Sequence, residues 1–121
     1  MILRAKGIVA DTLTLTAGGV DALKIEYKFN AGLHWQEVMK LRVEMAQIAE
    51  KKYPDVAKLG EKIIALFGLV FGADTTQHMV DFFEGSYESL IENLLPVFQY
   101  KIYPACEKAR KRAIRARKAK K

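Results

Sequence analysis

Ile63-Ile64-Ala65-Leu66-Phe67-Gly68-Leu69-Val70-Phe71 carries no polar side chain across nine residues, and its reading decides the fold. A bilayer-spanning helix takes about 20 apolar residues, so this run is far too short to cross a membrane. It should instead be buried nearly all round, with the other elements wrapped about it. Two apolar patches follow: Met79, Val80, Phe82 and Phe83, then Leu90, Ile91, Leu94, Leu95, Val97 and Phe98. Ile63–Phe98 therefore reads as the middle of a helical core.

Punctuation divides this core into helices. Pro54 suits a first helical turn, where its missing N–H would be unpaired anyway, so one helix should start near Pro54-Asp55 and stop at Gly72. Asp74-Thr75-Thr76-Gln77 fits a capping box, with Asp74 as N-cap and Gln77 reaching back. Gly85 should end that short helix in the left-handed conformation. Ser86 should cap the next, with Glu88 in its first turn at the positive end of the helix dipole. Pro96 and Pro104 each remove a backbone hydrogen bond from this last stretch, which predicts a bend or break near Leu95 and another near Tyr103.

Upstream, Val38, Leu41, Met45 and Ile48 recur at spacings of three, four and three, which predicts a helix over 33–51. His34 joins that face. Trp35, Met39, Arg42, Ala46 and Ala49 form an adjoining stripe. Residues 2–29 read as strand. Leu23, Ile25, Tyr27 and Phe29 share one face, while Lys24, Glu26 and Lys28 take the other. Thr12–Thr16 alternates in the same way. Ala17-Gly18-Gly19-Val20-Asp21 between them is a turn signal. The fold expected is α+β and mostly α. A small N-terminal antiparallel hairpin, or a three-stranded sheet if Ile2–Val9 adds a strand, is followed by four to five helices. Residues 1–107 should form one globular domain, β-rich over 1–30 and helical over 33–107.

The net charge of +6 is unevenly spread. Lys108, Arg110, Lys111, Arg112, Arg115, Arg117, Lys118, Lys120 and Lys121 place nine cations and no anion in residues 108–121. The remaining 11 cations meet all 14 carboxylates, so the body is near −3. A mildly acidic domain with a basic C-terminal tail suggests an anionic partner, nucleic acid among them, bound through Lys108, Arg110, Lys111, Arg112, Arg115, Arg117 and Lys118. The tail lacks interleaved aromatics, which argues against stacking on single strands. Repulsion among its charges should fray its end. The other reading is a solubilising terminus.

No residue set points to catalysis, a metal or a cofactor. His34 and His78 are far apart without ligand spacing around them, whereas a metal wants three or four converging ligands. Cys106 stands outside any recognisable motif and reads as a packed small residue. Asp81, Glu84, Glu88 and Glu92 read as a solvated face. Gly68 and Gly72 have small-xxx-small spacing, with Gly68 a close-packing point and Gly72 a C-cap. A single cysteine and the absence of a leader-like start speak for a reducing, intracellular setting.

Phe71-Gly72, then Met79-Val80-Asp81-Phe82-Phe83-Glu84-Gly85-Ser86-Tyr87-Glu88-Ser89-Leu90, Leu94-Leu95-Pro96-Val97-Phe98 and Ile102-Tyr103-Pro104 form a pattern of core and punctuation across residues 60–112. It resembles the small tail assembly chaperones and related tail-associated proteins of long-tailed bacteriophages and prophages. The chain departs from them in extra material around Thr12–Gly19. The resemblance implies a non-enzymatic protein of the bacterial host cytoplasm. It would hold the long, apolar, helical tape-measure protein, or other tail proteins, until tube subunits polymerise round it. Phe82, Phe83, Tyr87, Val97, Phe98 and Tyr103 are the partner contacts expected on that reading. A frameshifted longer form is a further implication, and the Arg117-Lys118-Ala119-Lys120-Lys121 ending is compatible with A-rich codons. The alternatives are a small nucleic-acid-binding protein using the tail and a structural head–tail joining subunit, with homo-oligomerisation open in each case.

Overall fold

The structure is a computed structural model and describes residues 7–17 and 21–119, with side chains for 7–16 and 23–117. Strands β1 (Ile8–Ala17) and β2 (Asp21–Asn30) form an antiparallel pair. The register sets Leu13 opposite Ile25, Leu15 opposite Leu23 and Val9 opposite Phe29. One face of the ribbon is thereby apolar, and Ile25, Tyr27 and Phe29 are buried as the alternation predicts. The third strand considered over Ile2–Val9 lies largely outside the described residues, where the sheet has two strands; the Gly18–Val20 turn lies outside them too.

Helix α1 (Ala31–Ala49) follows β2 directly. Asn30 caps it by accepting a hydrogen bond from the Leu33 N–H at 3.2 Å, so the helix starts two residues earlier than the apolar spacing implied. Gly7, at φ +85°, lends its carbonyl to the Ala31 N–H at 2.8 Å and ties the start of the ribbon to the start of the helix. Val38 and Ile48 are buried, Leu41 and Met45 half-buried, and His34 stacks on Phe29 with ring centres 6.0 Å apart.

Helix α2 (Val56–Phe71) contains the nine-residue apolar run. Its N-cap is Asp55, which accepts from the Lys58 N–H at 3.1 Å; Pro54 therefore lies outside the helix instead of in its first turn. The run is not buried all round. Ile63, Leu66, Phe67, Val70 and Phe71 face the core, but Ile64 and Leu69 are half-buried and Ala65 is exposed. A Cβ placed on Gly68 would meet nothing within 4 Å, so this glycine is not the close-packing point its spacing suggested.

Gly72, at φ +87°, ends α2 and also caps α3 (Ala73–Phe82). Its carbonyl accepts from both the backbone N–H and the hydroxyl of Thr76, at 3.0 and 2.7 Å. That corrects the assignment of Asp74 as N-cap. Asp74 sits in the first turn, and Gln77 donates forward to Asp81 at 2.9 Å instead of reaching back. The helix turns out through Glu84 and Gly85, both at positive φ, as the glycine signal implied. Ser86 caps α4 (Tyr87–Val97) by accepting from the Ser89 N–H at 3.2 Å.

Pro96 does not break the last stretch near Leu95, but an irregularity does fall beside Tyr103. Helical hydrogen bonding continues past Pro96 to the end of α4. The irregularity is a π-helical turn, Phe98–Ile102, which leads into α5 (Tyr103–Ala119). The Tyr103 N–H reaches back five residues to the Phe98 carbonyl. Pro104 accounts for the widening, because in an α-helix its ring would strike the carbonyl four residues back, at Tyr100.

Helix α5 crosses the boundary drawn at residue 108 and packs along α1. Cys106 and Ala109 are buried in the core, and Arg42 of α1 lies 4.2 Å from the centre of the Tyr103 ring. The basic segment is thus helical to Ala119, and residues 120–121, at the end where fraying was expected, lie outside the described residues. One core joins all these elements, from Leu15 on β1 to Ala109 on α5. An aromatic cluster sits at its centre. Phe98 stacks on Phe67 at 5.0 Å, Phe71 stands edge-on to both, and Tyr27 meets Phe71 at 5.0 Å.

Candidate functional site

An open apolar trough lies between the first half of α2 and α4, about 280 Å³ in volume. Val56, Leu59, Gly60 and Ile63 form one wall, and Tyr87 and Ile91 the other, with Glu88 and Glu92 on the α4 rim. Helical spacing builds both walls: positions 56, 59 and 63 share one face of α2, and 87 and 91 share one face of α4. Val56, at the first position of α2, is 72% exposed, an unusual state for a β-branched aliphatic residue beside a core. Gly60 makes the trough deep. A Cβ there would come within 3.1 Å of the Tyr87 ring, so the aromatic side chain lies directly over the bare backbone. A smaller hollow lined by Met45, Leu66, Phe67, Leu95, Phe98 and Tyr103 shares Ile63 and Ile91 with the trough and extends it.

Set against this geometry, the expected partner contacts divide. Phe83 and Phe98 are core residues, 8% and 3% exposed, so neither offers a surface. Their helical spacing could not separate interface from core, because aromatic residues bury more area than most and usually pack inward. Phe82, Val97 and Tyr103 are half-buried, and Tyr103 also edges the smaller hollow. Tyr87 is 40% exposed and lines the trough. Val56, Leu59 and Ile91 were missed. The signal for Val56 and Leu59 was an apolar stripe running N-terminally from Ile63 past the charged Lys58, Glu61 and Lys62, and for Ile91 its place four residues after Tyr87.

The basic residues form a second surface. Lys108, Lys111, Arg112 and Arg115 line a concavity of about 370 Å³ on α5. Arg110 lies off it, paired with Glu107 at 2.5 Å. Arg117 lines a separate hollow with Trp35, Gln36, Ala113 and Ile114, and the side chain of Lys118 is outside the described residues.

Burial pushes the Cys106 thiol up to about 11. A thiol held protonated inside the core is a packing residue and not a nucleophile. Among the described residues, no three His, Cys, Asp or Glu side chains gather as metal ligands, and no helix is long and apolar enough to cross a membrane. Comparisons with protein-family models, curated proteins and solved structures return no match to this chain.

Proposed function

We propose that this chain is a non-enzymatic tail assembly chaperone that holds a helical segment of a phage tape-measure protein in the host cytoplasm. The observation that carries the reading is the α2–α4 trough. Its floor is aliphatic and aromatic, and its only acidic or basic lining residues are Glu88 and Glu92 on one rim. An amphipathic helix docks in such a groove through anchors at i, i+3, i+4 and i+7. Positions 56 to 63 extend about 10 Å along α2, room for two turns of an incoming helix. The two carboxylates are one turn apart, so the occupant carries Lys or Arg on the flank that faces α4. The resemblance across residues 60–112 supports the same reading, since Tyr87 and Leu95 of that pattern border the trough and its extension.

Val56→Glu tests this without threatening the fold, because a carboxylate in the first turn of α2 interacts favourably with the helix dipole. Titration calorimetry with tape-measure peptides bearing that apolar repeat should give binding to the native chain. The variant should bind at least ~10-fold more weakly, since its carboxylate would be desolvated under an apolar partner. Absence of binding to the native protein at low salt, or equal binding by the variant, would overturn the proposal.

A further inference from the structure

Four cations of α5 form a surface that the trough does not use. At 3.6 residues per turn, Lys108, Lys111, Arg112 and Arg115 fall within an arc of about 100° and extend about 10 Å along the axis. They line one concavity, and all but the half-buried Arg112 are exposed. Glu107 is the one carboxylate on α5, and it is taken up by Arg110 outside that arc. The inward side of the helix is fixed by Cys106 and Ala109 in the core, so Lys108, Lys111 and Arg115 are held outward by packing, while the Arg112 guanidinium lies beside Gly7 at the start of the ribbon. Like charges three and four residues apart oppose helix formation. The fold nevertheless keeps this cluster together with no acid to relieve it among the lining residues, and a polyanion supplies the missing charge.

The geometry points to a docking surface for the phosphate backbone of duplex nucleic acid, bound without sequence preference. On each strand, duplex DNA carries a phosphate every ~3.4 Å of helix axis, so the four-cation face laid along that axis covers about three phosphates of one strand. Two of the four are arginines, whose planar forks match phosphate oxygens. No aromatic side chain lines the concavity, so it offers no platform for an unpaired base, which favours duplex over single strand. An acidic polypeptide would need matching carboxylates at nearly every turn to reach the charge density that a duplex has by construction.

The test is the salt dependence of binding. Fluorescence anisotropy of a labelled random-sequence duplex, at about 50 and 200 mM salt, gives the slope of log K against log salt. Each cation contributes about −0.9. The full chain should lose at least ~40-fold in affinity over that range, the loss for three phosphate contacts. Lys111→Gln with Arg115→Gln should make the slope shallower by about 1.8, and glutamine is a good helix former, so α5 survives. Val56→Glu should leave DNA binding unchanged, which separates failure here from failure of the trough. Unaltered slope in the double variant, no duplex binding near 50 mM salt, or tighter binding to polyglutamate than to the duplex would each overturn the inference.

Discussion

Tyr27 is the one described residue with a buried side-chain polar atom left without a hydrogen-bond partner among its described neighbours. It sits on the apolar face of β2, 6% exposed, edge-on to Phe71. Burial raises its pKa above the usual phenol value. Leaving a hydroxyl unpaired costs about 1–3 kcal/mol, and the ring supplies the packing. Tyr27→Phe should therefore match or exceed the native stability, by about 1 kcal/mol in chemical denaturation. Glu44 is a different case. Its hydrogen bond from Lys62, with the lysine's charge, holds its carboxyl below the usual 4.5. A carboxyl depressed in the folded state stabilises above its unfolded pKa, and that contribution is lost as pH falls through the folded value. Between about pH 7 and pH 3, the native chain should lose more stability than Lys62→Met, and denaturation at both pH values measures the difference.

At the scale of elements, what was legible was whatever a local pattern writes down. The two-residue alternation of Leu23–Phe29, the Ser86 cap and the Gly85 turn need only neighbours in sequence, and each stands where it was read. Asp74 failed because Gly72 offered its carbonyl to Thr76, a competing start two residues earlier that the spacing alone did not weigh. The two prolines divided, which is more instructive. The chain relieved the clash at Pro104 by widening one turn, and Pro96 was absorbed without a break. A π turn is equivalent to one extra residue in an α-helix. Deleting Tyr100, which is 76% exposed, should let the turn close to α geometry, but the Pro104 ring would then strike the ladder, at about 3 kcal/mol. In Pro104→Ala the same deletion should cost much less. Equal costs in the two backgrounds, read by thermal denaturation, would dissociate the proline from the turn.

For the whole molecule, composition foretold a helical body and a basic end, but not that the end is part of the body. Cys106 and Ala109 anchor α5 to the core, and Arg42 on Tyr103 fastens it to α1. Removing residues 108–121 would therefore do more than remove charge; it would strip cover from α1, which is why the charge-neutralising pair is the sounder probe of the basic face. The trough was illegible for the opposite reason. Apolar periodicity reports that a face is covered or coverable, and does not say whether this chain or another does the covering. The α1–α5 pairing also has a consequence during synthesis. The helix beginning at Ala31 is matched by one ending at Ala119, so a nascent polypeptide leaving the ribosome presents a greasy flank until that distant partner has been translated.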